Sequence, residues 1–202
     1  MTTQRDYFAH KSKSWDMNSR RVKNAKSIAK LILKNIPISN SMTVMDLGAG
    51  TGLLSYFIAP KVEKIVAVDN SPSMLEEFRA KSPEFECKTD AIYTDIMKYD
   101  CKECYDLIVS SMTIHHIQDI KALFLKLYDL LQVDGYIAIA DLDSEDGTFH
   151  SDDTGVCHFG FDRDEICSIA KEAGFKDINI ETASIINKPH RDFSVFLLSA
   201  KK

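Results

Sequence analysis

The stretch VMDLGAGTG, Val44 to Gly52, places three glycines behind an apolar run and one acid, Asp46, inside it. The glycines alternate: Gly48, Gly50, Gly52. A nicotinamide or flavin turn needs G-x-G-x-x-G, and a P-loop needs Gly-Lys followed by Ser or Thr, so this spacing excludes both. A pyrophosphate also favours helix amides with no anion beside them. Asp46 points instead to a cationic ligand, such as one bearing an ammonium group. Asp69 closes the next apolar run, KIVAVD, where an acid can accept from both hydroxyls of a ribose. Asp90 closes EFECKTD, where an acid can accept from an adenine amino group.

Histidines come next along the chain. His115 and His116 follow YDLIVSSMTI, and His150 and His158 lie in the long segment DLDSEDGTFHSDDTGVCHFGF. Imidazole titrates near neutral pH, so His115, His116 and His150 are the candidates for a general base. His158 is a candidate substrate contact. Two plainer readings stay open: a polar start to the next helix for the His pair, and a solvated loop for the long segment. Cys101-x-x-Cys104 with His115-His116 suggests zinc. However, about six strand residues separate the pairs, roughly 20 Å, and adjacent histidines are poor co-ligands. No metal is expected.

The elements that must position these residues alternate in type. Apolar spacing predicts a helix over Val22 to Ile36, ended by Pro37. TVMDL reads as a strand into the glycine loop, Leu53 to Ala59 as a helix, KIVAVD as a strand, and Ser71 to Ala80 as a helix that Ser71 caps. EFECKTD is a third strand and YDLIVSS a fourth. A long helix covers about Asp119 to Leu131, and GYIAIADL is a fifth strand. DRDEICSIAKEAGF is a helix with Asp162 and Glu165 at capping-box spacing and Gly174 at its end. DINIETASII and DFSVFLLSA close the chain.

This alternation implies a doubly wound α/β sheet, largely parallel and covered by helices on both faces. The short NKPHR turn leaves no room for a crossover helix, so the last two strands pair antiparallel. In such sheets the carboxyl ends of the strands hold ligands. The glycine loop, Asp69, Asp90, the Ser110 to His116 segment and Asp141 to Asp143 all fall on that edge. Lys188, His190 and Arg191 in the final turn fall there too, either to meet an anionic substrate group or as a solvated turn.

The chain has 202 residues with a net charge of −5, 45% hydrophobic and 27% charged residues. It reads as one domain over 1–202. The acidic balance disfavours nucleic acid as a partner. No apolar run reaches the roughly 20 residues of a membrane span, and no secretory signal is expected at the N-terminus. Five irregularly spaced cysteines read as reduced thiols, so a cytoplasmic protein is expected. Nothing here bears on oligomeric state. Residues 1–21 are polar but carry Tyr7, Phe8 and Trp15, so this arm folds over something. It is either a lid or simple packing. Tyr7 and Trp15 are candidate substrate contacts, and Arg20 or Arg21 can pair with a carboxylate.

VMDLGAGTG, IVAVDNSPSML, CKTDA, YDLIVSSMTIHHI and LLQVDGYIAIADL together resemble the successive motifs of class I S-adenosylmethionine-dependent methyltransferases, over roughly residues 40 to 202. The resemblance implies a Rossmann-like seven-stranded sheet with its last strand antiparallel. It implies that Gly48, Ala49 and Gly50 carry the methionine part of the cofactor, with Asp46 and Ser110 nearby. Asp69 would hold the ribose, Asp90 and Ala91 the adenine, and Asn70 and Met74 would flank the adenosine. In place of the family's Pro-Gly-Gly turn stands Val133-Asp134-Gly135, where Gly135 is expected to keep the turn. Strong catalytic residues are optional in methyl transfer, because alignment alone supplies about 7–11 kcal/mol. Ser110-Ser111-Met112-Thr113 stands where amino-methyltransferases of adenine or glutamine carry Asn/Asp-Pro-Pro-Tyr, which argues against those substrates. The expected activity is methyl transfer to a small molecule. The alternatives are a tRNA or protein acceptor, or a binding protein that holds S-adenosylmethionine or S-adenosylhomocysteine without turnover.

Overall fold

The computed structural model describes residues 6–101, 105–150 and 155–202. Seven strands form one sheet: β1 (Thr43–Leu47), β2 (Lys64–Asp69), β3 (Lys88–Tyr93), β4 (Tyr105–Ser111), β5 (Leu131–Leu142), β6 (Lys176–Lys188) and β7 (Arg191–Lys201). Their order is β3-β2-β1-β4-β5-β7-β6. β1, β2, β3, β4 and β5 pair parallel. β7 runs antiparallel to both β5 and β6, as the short final turn requires. Strand order reverses between β1 and β4, so the crevice for a ligand opens there.

Five helices cover the sheet: α1 (Ser19–Asn35), α2 (Leu53–Ile58), α3 (Pro72–Lys81), α4 (Ile120–Leu130) and α5 (Arg163–Glu172). Alternate strand residues feed two separate cores, as the pleat dictates. Met45, Val66, Ile108 and Ile137 pack with α4 and α5. Val44, Ile65, Leu107 and Ala138 pack with α1, α2 and α3. Each fully buried large side chain contributes about 1.5–3 kcal/mol, so the two layers stabilise the fold without cross-links. The four described cysteines, Cys87, Cys101, Cys157 and Cys167, are free. Cys104 lies outside the described residues.

The capping residues fix where the helices start. Asn18 accepts from the Arg20 and Arg21 amides, so α1 begins three residues before the apolar pattern does. Ser71, Asp119 and Asp162 cap α3, α4 and α5 through side-chain acceptors.

Two expectations change. β3 starts at Lys88 rather than Glu84. Ser82–Glu84 forms a 3-10 turn around Pro83, and Phe85 buries edge-on against Phe78 at 5.4 Å instead of joining the sheet. The second change is near the start of β5, which begins at Leu131 rather than at Gly135. Asp134, not Gly135, takes the left-handed conformation there, with φ 66°. The first change moves the adenine-side acid, as described below.

Candidate active site

A cavity of about 950 Å³ opens at the carboxyl ends of the strands. That is the size of a cofactor site with room for a second ligand. Gly48, Ala49 and Gly50 form its floor, with Asp46 and Asp69 at the ends of β1 and β2. Gly48 has φ 66°, and its amide donates to Val68 O at 2.7 Å. A Cβ on Gly48 would lie 2.1 Å from Thr113 Cγ2, so the β1 and β4 loops touch through bare backbone. At Gly50, φ is 55° and a Cβ would meet nothing within 4 Å. Its outer surface faces the cavity.

Asp46 is 1% exposed and accepts from Ser55 Oγ at 2.6 Å. Burial pushes its pKa up to about 7; the Ser55 hydrogen bond opposes this and the charge of Asp69 adds to it. Asp69 accepts from the Gly50 amide with one oxygen and from the Ser71 amide with the other, both at 2.8 Å. Burial raises its pKa, the backbone donors lower it, and Asp6 raises it further. An ionised carboxylate has about four acceptor sites, so two amides leave room for a pair of hydroxyls. Asn70 and Met74 line the same wall.

Asp90 and Ala91 are not in the cavity. The later start of β3 leaves Asp90 in mid-strand, paired with Val66, exposed, and accepting from the Ala91 amide at 2.8 Å. Ala91 packs against the α1–α3 core layer, and its carbonyl accepts from Arg79. The acid beyond the end of β3 is Asp95, followed by Ile96 and Met97, and all three line the cavity. Asp95 caps a short turn by accepting from the Met97 amide at 3.0 Å. The continuation of the strand through AIY, then an acid before an apolar pair, was the signal for it.

Ser110 is also structural. It is fully buried, and its hydroxyl donates to Leu47 O at 2.8 Å, tying β4 to β1.

The three candidate histidines meet at the other end of the cavity. His115 and His116 have ring centroids 4.2 Å apart, and His150 lies 4.9 Å from His115. His115 is 1% exposed, and Nδ1 is 2.7 Å from Asp141 Oδ1. Asp141 is 0% exposed and also accepts from the Leu142 amide at 2.8 Å and the His115 amide at 3.3 Å. An ionised carboxylate only accepts, so Nδ1 carries the hydrogen and the Nε2 lone pair is available. That Nε2 is buried with no hydrogen-bond partner among the described residues. Sequence reasoning placed Asp141 at the edge without giving it a partner. A lone acid inside the buried run YIAIADL was the signal.

His116 donates from Nδ1 to Gly155 O at 3.1 Å. Burial and the His115 charge hold its pKa down at about 4. Burial, then His115, His116 and Lys188, hold His150 at about 4 as well.

Two candidate substrate contacts fall elsewhere. His158 hydrogen-bonds through Nε2 to Ile117 O at 2.9 Å and stacks near Phe161, in a separate shallow cleft. Arg191 shares a face with Lys188, but it forms an ion pair with Asp146 at 2.7 Å and leaves the cavity. Of the NKPHRD turn, Lys188 and Pro189 line the cavity, while His190 does not. Among the described residues no cluster of three metal-ligating side chains exists. No described helix is long and apolar enough to cross a membrane.

Tyr7, Phe8 and Trp15 wall the cavity from the N-terminal side. Three contacts pin this arm to strand-end loops. Asp6 accepts from Ser71 Oγ at 2.8 Å. Asp16 accepts from Thr51 Oγ1 at 2.5 Å and pairs with Lys81. Phe8 stands edge-on to His116 at 5.8 Å. Arg21 lies 3.6 Å above the Trp15 ring, beside that Thr51 contact. Arg20 turns the other way and donates to Asn187 O at 3.0 Å.

Comparisons with known proteins agree with this geometry. The methyltransferase-domain family matches residues 44–135. An uncharacterized methyltransferase of Schizosaccharomyces pombe is 28% identical over 74% of this chain and 57% of its own length. A trans-aconitate 2-methyltransferase of Enterobacter is 30% identical over 59% of this chain and 46% of its own. The chain thus spans about half the length of the curated relatives it matches. Phosphoethanolamine N-methyltransferase 2 of Haemonchus contortus, solved with S-adenosyl-L-methionine, superposes with a TM-score of 0.73 at 17% identity. That match covers 100% of this chain and 60% of the other. At that identity the likeness concerns fold. The matched domain, the strand order with β7 reversed, and the glycine loop at the crevice support a class I S-adenosylmethionine-dependent methyltransferase.

Proposed function

We propose that this protein transfers a methyl group from S-adenosylmethionine to a small-molecule acceptor whose nucleophilic atom carries a proton. The observation that carries this reading is the buried His115 Nε2, without a hydrogen-bond partner among the described residues and backed by Asp141, in the same cavity as the glycine loop and Asp69.

The residues present fit the cofactor. Gly50 presents open space where a Cβ would stand. Asp46 suits the ammonium, Arg21 the carboxylate, Asp69 the ribose hydroxyls, and Asp95 with Ile96 and Met97 the adenine. The bound cofactor supplies an electrophilic methyl group on a sulfonium. The chain's own part is to align the acceptor, take its proton at His115 Nε2, and exclude water. Asp141 stabilises the imidazolium that forms and keeps the ring in one orientation. Tyr7, Phe8 and Trp15 act as the lid. A relative named for trans-aconitate supports a small acceptor rather than a nucleic acid or protein. The free described cysteines accord with a cytoplasmic setting.

Two binding results test the cofactor half. Asp69→Ala should weaken S-adenosylhomocysteine binding by about 1.5–3 kcal/mol, roughly 10- to 150-fold, the range for a hydrogen bond to a charged group. Calorimetry on both forms reads this directly. Unchanged affinity removes the ribose assignment, and a wild-type protein that binds NAD but not S-adenosylmethionine removes the whole reading.

Asp46 gives a second result. Its pKa of about 7 lies above the ordinary carboxylate value. This group's contribution to the stability of the ligand-free fold is therefore full below pH 3.8 and is lost as pH rises through 7. A bound ammonium reverses the preference and draws the proton off. Affinity for S-adenosylhomocysteine should then rise about tenfold from pH 6 to pH 8, with proton release on binding at pH 6. Titrations at pH 6 in MES and in Bis-Tris, whose ionisation enthalpies differ, would give equal heats if no proton leaves.

A further inference from the structure

The acids and the cations of the cavity are segregated. Asp46, Asp69 and Asp95 stand at the ends of or beyond β1, β2 and β3. Arg20, Lys188 and His150 stand on the opposite wall, with Lys188 at the end of β6. β6 is four strand positions from β1, roughly 19 Å along the hydrogen-bonding direction. The glycine loop and its acids account for a cofactor. Nothing in that assignment uses Arg20 or Lys188.

These two side chains come from opposite ends of the sequence and converge on one spot. Arg20 Nη1 donates to Asn187 O at 3.0 Å, and Lys188 Nζ donates to Phe149 O. Among the described residues neither pairs with a carboxylate; both are held by neutral carbonyls. Burial lowers the Lys188 pKa, the Arg20 charge lowers it further, and Glu145 pulls it back. Glu145 itself accepts from the Phe149 amide at 3.0 Å. Arg191, the next cation on this face, is taken by Asp146. His150 Nε2 and Glu145 Oε1, beside them, are buried with no hydrogen-bond partner among the described residues. Arg20 is exposed, Lys188 is half-buried, and the carboxylate beside them is Glu145; two cations and an unsatisfied imidazole nitrogen against that single carboxylate leave a net positive charge that an anion would neutralise.

We propose that the methyl acceptor is a small anion, and that its carboxylate or phosphate sits on Lys188, Arg20 and His150 while its nucleophilic atom reaches His115. This rests on the methyl-transfer reading and names the substrate class within it. The span is short. Lys188 Nζ lies 4.2 Å above the Phe149 ring, Phe149 is 4.9 Å from His150, and His150 is 4.9 Å from His115. A molecule of a few carbons or one ring covers that distance. His150, neutral at pH 7, serves as a hydrogen-bond donor here rather than as a base.

The test uses the full chain saturated with S-adenosylhomocysteine at low salt. Calorimetry follows titration with trans-aconitate, with inorganic phosphate, and with trimethyl trans-aconitate as the neutral control. At least one anion should bind and the ester should not. Whichever anion binds more tightly assigns carboxylate or phosphate as the handle. Lys188→Met and Arg20→Gln should each weaken the anion about tenfold, with S-adenosylhomocysteine affinity within twofold of wild type, which also shows that the variants fold. The proposal is overturned if neither anion binds, if the ester binds as well as the acids, or if both variants keep wild-type anion affinity. Failure of S-adenosylhomocysteine itself to bind wild type is a different result, and it removes the methyl-transfer reading.

Discussion

His115→Ala should lower kcat by about 10²–10⁴-fold, the usual contribution of a positioned general base, with S-adenosylhomocysteine affinity nearly unchanged. The expectation follows from how each ring nitrogen is used. Nδ1 is committed to Asp141 at 2.7 Å, and Nε2 is buried in the cavity wall with no partner among the described residues. A buried polar atom left unpaired costs about 1–3 kcal/mol, so its persistence at this position calls for a ligand that pairs with it. His116 and His150 cannot replace it. Both are held near pKa 4 by burial and by the charge that His115 would carry, so they stay neutral at pH 7. His116 also spends Nδ1 on Gly155 O.

Asp141→Asn offers a second handle on the same dyad. An amide can present its NH2 to Nδ1, which would turn the hydrogen onto Nε2 and remove the lone pair the base needs. That variant should lose turnover with KM for the methyl donor preserved. A His115→Ala enzyme that keeps kcat within threefold of wild type would mean the acceptor arrives already deprotonated, as a carboxylate nucleophile does, and that His115 is only a wall.

The alternating strands and helices, the antiparallel final pair and the glycine loop at the strand ends were readable in the sequence, because local signals decide them. Alternating strands and helices, a glycine loop behind β1 and an acid at the end of β2 are all written within a few residues of one another. The adenine-side acid was not readable in that way. β3 is an edge strand with a mixed polar pattern, and its start depends on Phe85 burying against Phe78, a contact made across the fold. The four-residue later start of β3 leaves Asp90 in mid-strand and puts Asp95 beyond the strand end, in the cavity wall. The proposed base was legible as a residue type but not as a device, since Asp141 reaches His115 only once β5 lies beside β4. The final turn shows the same limit. Lys188 and Arg191 are directly opposed in register, and the choice between them was made by Asp146, far off in sequence, which takes Arg191 away.

Gly48→Ala should destabilise the fold by about 2–5 kcal/mol, combining a left-handed residue with a side chain and overpacking. For a chain of this size that is roughly 5–15 °C in Tm. The new Cβ would stand 2.1 Å from Thr113 Cγ2, 2.3 Å from Oγ1 and 2.7 Å from Cβ. No rotamer of Thr113 relieves the last of these, so a loop must move. Thr113 Oγ1 bonds to both Gly48 O and Ser111 O, and the residues right after it, Ile114–His116, carry the base. Movement there should therefore disturb turnover as well as stability. Gly50→Ala provides the contrast. Its φ of 55° is similar, but its Cβ meets nothing within 4 Å, so it should cost only the backbone part while placing a methyl group in the cofactor's space. The two variants should separate, Gly48→Ala reading mainly in Tm and Gly50→Ala mainly in S-adenosylhomocysteine affinity. Adding Thr113→Gly to Gly48→Ala should recover the packing part and leave the backbone part, a non-additive pair. Equal Tm for wild type and Gly48→Ala would show that the two loops do not press on each other, and with that the path from cofactor floor to base would be lost.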